Sequence, residues 1–370
     1  MPGVRSLQQR CGSDGLLAAA NESARQAARP EDPESADAPL TEAVASLRRS
    51  GLLAAPLPRR LGGAGLGLPP EADRRLCSIL RLLGSGSLAL GRHYEHHVSA
   101  LRLIAAHGTA EQVARMVEDA RTGHLFGFWY LDDDRAPLQA ASGVTEGTVV
   151  EGSLGASGPA VVDRPLVAIC LSSGEIALIS PWLLGRHRSE GAGATARVDL
   201  PEVALRAHDL VAVLPADSLE AALSGVVWSA AAVHLGRIES ILDDLRDHHR
   251  AAGHDHDPRG LARLGEAAMA VETARLMVER AASQAQARDE AGRQASSSAS
   301  LAGLAVGKAG ECLLDIAHGA GRPSDGRPDG ILERLSRQIE EARQPWTGDR
   351  LSRPQSCAAL DRLHQAPPPA

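Results

Sequence analysis

The chain has 370 residues, more than one ordinary hydrophobic core accommodates, and therefore predicts two or three domains. Apolar residues make up 44% of the chain but aromatic residues only 2%, so long alanine- and leucine-rich helices are expected rather than a large β-sandwich. The net charge of −7, with no basic block, argues against a nucleic-acid partner.

The five cysteines are scattered, and none forms a CxxC pair. They indicate neither a zinc knuckle nor a disulfide framework and fit a reducing compartment. No run of about 18 apolar residues provides a membrane span, and the N-terminus lacks the apolar core of a signal peptide. We therefore expect a cytoplasmic protein.

The first third of the chain has helical patterns over residues 16–27, 41–51, 70–92, 93–107 and 109–121. Thr41 is expected to cap the second helix, and Thr109 with Gln112 forms a capping box at the start of the fifth. Residues 52–67 form a glycine-rich loop without a following GK[ST], which favours a plain turn over a phosphate cradle.

From Leu125 onward the pattern changes to short β-type runs separated by Gly, Ser, Asp and Pro, at 149–150, 166–171, 176–179, 196–200 and 210–214. Long amphipathic helices follow over 217–250, 261–281, 301–316 and 331–344. Two long helices joined by the short turn at 253–258 should pack antiparallel in a bundle. The expected divisions are an N-terminal helical domain (1–124, with 1–40 partly disordered), a middle β-domain (125–215), a helical bundle (216–351) and a tail (352–370).

Four local patterns occur in this order: P-x-x-x-G-G-x-G ending at Gly65, G-T-x-E-Q from Gly108 to Gln112, a G-x-x…D stretch from Gly152 to Asp163, and a bundle-helix segment at 268–275. Together they resemble the acyl-CoA dehydrogenase superfamily, from about Thr41 to Leu351. The resemblance implies an α+β fold with an N-terminal helical domain, a middle β-domain and a C-terminal four-helix bundle.

The resemblance also implies FAD held between the β-domain and the bundle, and a homo-oligomer, dimer or tetramer, that completes the site. An acyl-CoA substrate and an electron-transfer partner follow from it as expectations. The positions that match the family's cofactor contacts are Trp129, Ser157, Arg250, Gly319 and Gly321. Ordinary interface packing for Trp129 and a charge at a helix C-terminus for Arg250 remain alternatives.

Oxidation of an acyl thioester at Cα–Cβ needs a carboxylate that removes the α-proton, while the flavin takes the hydride. Trp346 stands where most family members have this glutamate, and Ser224 and Gly225 stand at the other known position. Neither can act as the base, so the catalytic residue is unknown. Glu340, Glu341 and Asp349 lie nearby and could replace the missing base, although an exposed charge on a helix face is the favoured interpretation of each.

Histidines cluster in two places. The turn at 254–257, with His248 and His249, has ligand-type side chains, but a solvated loop is favoured. His93 and His97 have the i, i+4 spacing of zinc helices without the HExxH motif, and we predict no metal site. A surface or core position is the favoured interpretation of these histidines. Because the family's corresponding helix lines the acyl pocket, a polar cluster of His93, Glu95, His96 and His97 that binds a polar substrate is the alternative. The serine-rich stretches at 85–87 and 296–298 are interpreted as turns or linkers.

Three functions are therefore considered. The leading one is an FAD-dependent oxidoreductase acting on the CH–CH group of an acyl thioester. A flavin-dependent monooxygenase of the same superfamily needs no α-proton base and is the first alternative. A non-catalytic, degenerate relative is the second.

Overall fold

A computed structural model describes residues 13–28, 38–66, 72–130, 149–156, 161–171, 173, 175–180, 188–190, 196–204, 206–253, 257–285, 291–319 and 330–343. Five helices come first: α1 (Ser13–Ala27), α2 (Ala38–Ser50), α3 (Ala72–Gly86), α4 (Leu88–His107) and α5 (Ala110–Arg121). Seven strands follow: β1 (Phe126–Tyr130), β2 (Val149–Ala156), β3 (Arg164–Cys170), β4 (Glu175–Ile179), β5 (Arg188–Glu190), β6 (Ala196–Ala204) and β7 (Leu210–Pro215). The described chain ends in α6 (Ala216–Ala251), α7 (Pro258–Gln284), α8 (Ala291–Gly319) and α9 (Gly330–Arg343).

Some helix boundaries differ from those predicted. The break between α3 and α4 lies at Ser87, not between residues 92 and 93, because the Ser87 side chain accepts the Leu90 N–H as an N-cap. Helix α2 begins at Ala38, so Thr41 lies within the first turn and is not its cap. The predicted linker at 296–298 is also wrong, because those serines lie inside α8.

The capping box at the start of α5 is confirmed. The Thr109 hydroxyl accepts the Gln112 N–H, and the Gln112 side chain accepts the Thr109 N–H. Gln112 also donates through Nε2 to the carbonyls of His208 and Leu210, which joins α5 to the start of β7. One glutamine thereby satisfies a helix end and fixes the sheet against the helices.

The strands form one mixed sheet in the order β5-β6-β2-β1-β3-β4-β7, in which β1 and β3 are parallel and the other neighbours antiparallel. Side chains of β1 alternate between its faces, as strand geometry requires. Phe126 and Phe128 pack with α4, α5 and β7 in a smaller core, whereas Trp129 joins the main core of the helices. The sheet is therefore buried on both sides near β1.

The helices pack closely through glycine. A Cβ atom at Gly84 in α3 would lie 2.1 Å from the Val233 carbonyl oxygen in α6, and one at Gly236 in α6 would lie 2.0 Å from the Arg81 carbonyl oxygen. The Arg81 guanidinium bridges this crossing to Glu239 of α6 and Glu279 of α7. Direct backbone contact thus fills the space between these helices, where a protein richer in aromatic residues would place large side chains.

The bundle helices bury smaller side chains than the sequence pattern predicted. Helix α7 buries alanine and valine, including Ala267, Val271, Ala274 and Val278, and α8 buries Ala302, Val306, Ala309 and Leu313. The leucines at 261, 301 and 304, which belonged to the predicted apolar stripes, are exposed. Small residues let α7 and α8 approach each other, and this rotates the larger leucines outward. No helix within the described ranges is both long and apolar enough to cross a membrane.

Replacement of Gly84 by alanine is expected to destabilise the fold by about 1–3 kcal/mol, because the added methyl group collides with the α6 backbone. The matched control is Gly265→Ala in α7, where a Cβ meets nothing within 4 Å. That change should stabilise the protein by up to about 1 kcal/mol through helix propensity. Guanidinium-induced unfolding measures both, and equal effects of the two variants would contradict the backbone contact.

Candidate functional site

One turn of α4 is unusual because five consecutive polar or titratable side chains, from His93 to His97, are all buried. Polar groups are rarely buried without hydrogen-bond partners, since desolvation of an unpaired group costs free energy. The partners of each side chain therefore distinguish structural residues from candidates for function.

Tyr94 and His97 have structural partners. The Tyr94 hydroxyl donates to the Leu52 carbonyl at 3.0 Å. His97 Nε2 lies 2.8 Å from the Leu53 carbonyl, and its Nδ1 accepts the Phe126 N–H at 3.0 Å. The ring is therefore the neutral Nε2–H tautomer, and burial lowers the pKa of His97 to about 4. Both nitrogens are committed to backbone groups, so His93 and His97 do not form a zinc pair.

Glu95 is held between α4 and α6. Its Oε1 accepts hydrogen bonds from the Ser99 hydroxyl at 2.9 Å and the Ser229 hydroxyl at 3.2 Å. Burial raises the pKa of Glu95 to about 7, against the opposing effects of the two hydroxyls and of Arg92 and Arg102. A side chain that ionises near neutral pH inside a helical core can take up or release a proton under physiological conditions.

Three more buried histidines on α4 and α6, one of them 3.5 Å from the Glu95 carboxylate, have nitrogens without a hydrogen-bond partner among the described residues. His93 has neither nitrogen hydrogen-bonded, His96 lacks a partner at Nδ1, and His234 of α6 lacks one at Nε2. His234 Nδ1 lies 2.5 Å from the Ala342 carbonyl, near the end of α9, and donates to it. Burial lowers the pKa of His93 and His234 to about 4 and that of His96 well below its usual value.

We call His93, Glu95, His96, Ser229 and His234 the α4–α6 polar cluster. Two contacts fix how the helices align. A Cβ atom at Gly91 would meet the Val233 side chain, next to His234, and Glu95, one turn later on α4, accepts a hydrogen bond from Ser229, one turn earlier on α6. Each buried polar group without a partner lowers the stability of the fold by about 1–3 kcal/mol. The cluster therefore destabilises the protein if its role is purely structural. Uncharged imidazoles and a protonatable carboxyl suit hydrogen bonding and proton transfer to a ligand.

Trp129, one of the predicted cofactor residues, lies on β1 and is only 1% exposed. Its indole Nε1 lies over Gly127, where a Cβ atom would approach to 3.1 Å, and the ring belongs to the main helical core. This is the interface-packing alternative that the sequence analysis left open. A role of Trp129 beside a flavin stays a prediction.

Arg250 lies in the last turn of α6, pairs with Asp247 at 2.7 Å and leaves 67% of its side chain exposed. A contact between this guanidinium and a cofactor stays a prediction. Gly319 is the last residue of α8. Ser157 and Gly321 lie outside the described residues.

The alternative bases do not join the cluster. Glu340 and Glu341 are exposed on α9, as the helix-face interpretation expected, while Trp346 and Asp349 lie outside the described residues. Most of the 254–257 turn is also outside them, and Asp257 caps α7. Among the described residues no group of three His, Cys, Asp or Glu side chains could hold a metal ion.

Sequence reasoning missed two members of the cluster, Ser229 and His234. Both interrupt the apolar run that α6 buries from residue 228 to 238. Two polar side chains on the buried face of a long helix are a detectable signal. Their partners on α4 could not be deduced from one sequence, because the contact depends on how the helices cross.

No protein-family model matches the chain, and no curated protein is similar to it in sequence. Solved structures do match. The FMN-bound structure of TdsC from Paenibacillus sp. A11-2, a dibenzothiophene monooxygenase, has a TM-score of 0.75 at 17% identity and covers 96% of this chain and 99% of that chain. KijD3 in complex with dTDP gives 0.73 at 20% identity over 97% of both chains. The FAD complex of PigA gives 0.67 at 14% identity over 94% and 97%.

This chain has the acyl-CoA dehydrogenase fold. The predicted fold class, helices followed by a β-domain and a C-terminal helical bundle, is thereby confirmed. At these identities the similarity establishes architecture, and the chemistry has to be argued from the site.

The buried histidines predict acid sensitivity. His93, His97 and His234 have pKa values of about 4 in the folded state and bind protons more readily when unfolded, so stability falls as pH drops from about 6.5 towards 4. Each of these histidines should lower the free energy of unfolding by about 2 kcal/mol at pH 5. Glu95 acts in the opposite direction, because its raised pKa favours the folded state as pH falls from about 7. The stability gained through Glu95 at pH 5 is about equal to the stability lost through one histidine.

Unfolding by guanidinium at pH 7 and pH 5 should therefore show a large net loss of stability at the lower pH. His93→Leu removes one of the titrating rings and should reduce that loss by about 2 kcal/mol. Equal pH dependence in the wild type and in H93L would contradict a neutral, buried His93.

Proposed function

We propose that this protein is a flavin-dependent oxidoreductase of the oxygenating type, acting on a small polar substrate that binds at the α4–α6 polar cluster. The observation that carries the proposal is the set of buried imidazole nitrogens without partners on His93, His96 and His234. A ligand with its own hydrogen-bond donors and acceptors would satisfy these atoms.

The same observation weighs against an acyl thioester, the leading sequence-based hypothesis. A hydrocarbon chain placed beside the cluster would leave its polar atoms unsatisfied, at about 1–3 kcal/mol each. The two positions where the resemblance expects the α-proton base hold Trp346 and Ser224-Gly225 instead. Oxygenation does not require that base, so the monooxygenase alternative fits the chain better.

Flavin as the cofactor is supported by the solved structures of this fold with FMN and with FAD. We propose FAD, with Arg250 and Gly319 as described positions that suit a dinucleotide, and with Ser157, Gly321 and Trp129 as further contacts. When bound and reduced, the flavin supplies the two electrons that oxygen activation needs. One oxygen atom then enters the substrate and the other leaves as water, so protons must reach the site.

The residues of the cluster would carry out the remaining tasks. The neutral rings of His93 and His234 orient the substrate by hydrogen bonds, and the carboxyl group of Glu95 holds a proton near neutral pH. The close packing of α3, α4 and α6 excludes water from the reacting groups. Reduced flavin would come from a separate reductase. This reductase would be the electron-transfer partner that the resemblance implies.

A second copy of the chain is the proposed structural partner. Exposed apolar side chains lie on α7 and α8, including Met269, Leu276, Leu301 and Leu304. Gly265, Gly303 and Gly307 on the same helices have open space around them. Such a surface suits helix–helix contact between subunits, through which Arg250 of one copy could reach the cofactor of another.

Purified protein incubated with FAD should show a visible flavin absorbance. With NADH and an external flavin reductase it should consume oxygen faster when a polar heteroaromatic compound such as indole is added. His93→Leu should raise KM about tenfold or more, because substrate hydrogen bonds are lost. Anaerobic bleaching of bound flavin by an acyl-CoA would instead support the dehydrogenase, and protein that never binds flavin would support the non-catalytic relative.

Arg250→Gln should weaken FAD binding by about tenfold to a hundredfold if the guanidinium contacts a phosphate. Arg246→Gln is the matched control, because Arg246 lies one turn earlier on α6 and makes the same kind of pair with Asp243. It should change the affinity less than twofold. Quenching of flavin fluorescence measures both, and equal losses in the two variants would assign the effect to surface charge alone.

A further inference from the structure

The two carboxylate oxygens of Glu95 have different surroundings. Oε1 accepts hydrogen bonds from both Ser99 and Ser229, whereas Oε2 lies 3.5 Å from Nε2 of His96. Two donors already occupy Oε1, so the proton of neutral Glu95 belongs on Oε2, the oxygen directed at His96. The separation of 3.5 Å between Glu95 Oε2 and His96 Nε2 is an ion-pair distance, longer than a typical hydrogen bond, so proton transfer requires the two side chains to move closer.

The other nitrogen of His96, Nδ1, is buried and has no partner among the described residues. When Glu95 is protonated, Nε2 accepts from it and Nδ1 carries the ring proton as a donor. When Glu95 is ionised, Nε2 carries the proton towards the carboxylate and Nδ1 presents a lone pair. The ionisation of one side chain thus decides whether Nδ1 of the other donates or accepts.

We propose that Glu95 and His96 form a buried proton-exchanging pair, in which His96 Nδ1 is the catalytic atom that contacts the bound substrate and Glu95 is its positioning residue. The substrate class rests on the function proposed above, but the pair itself is a property of the protein without flavin or substrate.

The exchange is balanced in charge. An N–H or O–H bond of the ligand breaks, and its proton forms the Nδ1–H bond of His96. The Nε2 proton passes to Glu95 Oε2, so the negative charge moves from the carboxylate to the ligand. The reverse sequence returns a proton to a ligand anion, and neither direction needs an oxidant or reductant.

Among the described residues, the charged and titratable groups that shift the pKa values of the pair are Arg92, His93 and Arg102, all on α4. Arg92 and Arg102 favour the ionised carboxylate, while Arg92 and His93 disfavour protonation of His96. His234, on α6, is affected by the same Arg92. Arg92 therefore favours the state with a carboxylate and a neutral ring, in which His96 Nδ1 acts as the base.

The test is nitrogen NMR of the full chain, free of flavin and labelled with 15N-histidine, between pH 5.5 and 8.5. His96→Asn identifies the His96 signals. The Nδ1 and Nε2 signals of His96 should exchange their protonated and unprotonated shifts near pH 7, and Glu95→Gln should abolish that transition. Ser229→Ala removes a donor to the carboxylate and should move the transition to higher pH.

Glu118→Gln is the matched control, since Glu118 is an exposed carboxylate on α5 and its loss should leave the transition where it is in the wild type. His96 signals that stay constant across the pH range, or a transition that persists in E95Q or does not move in S229A, would overturn the pair. Absence of flavin binding or oxygen uptake would remove the proposed function and leave the NMR transition intact. In active enzyme, E95Q should lower kcat/KM by about 10²- to 10⁴-fold and remove its pH dependence near neutrality.

Discussion

Close approach of α3 and α4 to α6 is the constraint on which the site depends. Gly84, Gly91 and Gly236 let these helices meet at distances that no other residue permits. Water is therefore excluded from the next turn of α4, where the polar side chains lie. The lowered pKa values of the histidines and the raised pKa of Glu95 follow from that exclusion, because burial is the largest cause of each shift.

Neighbouring residues on the same turn of α4 have different tasks, and their hydrogen bonds separate them. Tyr94 and His97 satisfy the backbone of residues 52 and 53 and of β1, so they fix α4 against the glycine-rich loop and the sheet. Glu95 instead accepts a hydrogen bond from Ser229 of α6, and its other oxygen lies 3.5 Å from His96. Tyr94 and His97 hold the helix in place, so the proposed proton exchange between Glu95 and His96 does not have to break the contacts that fix α4.

Most of the architecture could be predicted because it depends on local patterns. The order of helices and strands, the Thr109–Gln112 capping box and the long bundle helices all follow from periodicity and capping chemistry. The outward rotation of Leu301 and Leu304 could not be predicted, because α8 has two apolar faces and only packing decides which one is buried. A polar cluster of His93, Glu95, His96 and His97 was predicted only as the less favoured alternative, and the sequence could not show that His97 bonds to backbone groups.

The partners on α6 also bear on the choice between an active and a degenerate protein. A chain that had lost its function would be free to replace His93, His96 and His234 with apolar residues, which would remove several unsatisfied polar atoms and stabilise the core. The cluster instead keeps three buried histidines on the two helices that hold a carboxyl group with a pKa of about 7, and serines from both helices donate to the same oxygen of that carboxyl. Arrangements that oppose stability in this way are characteristic of sites where chemistry takes place, which favours an enzyme over a scaffold.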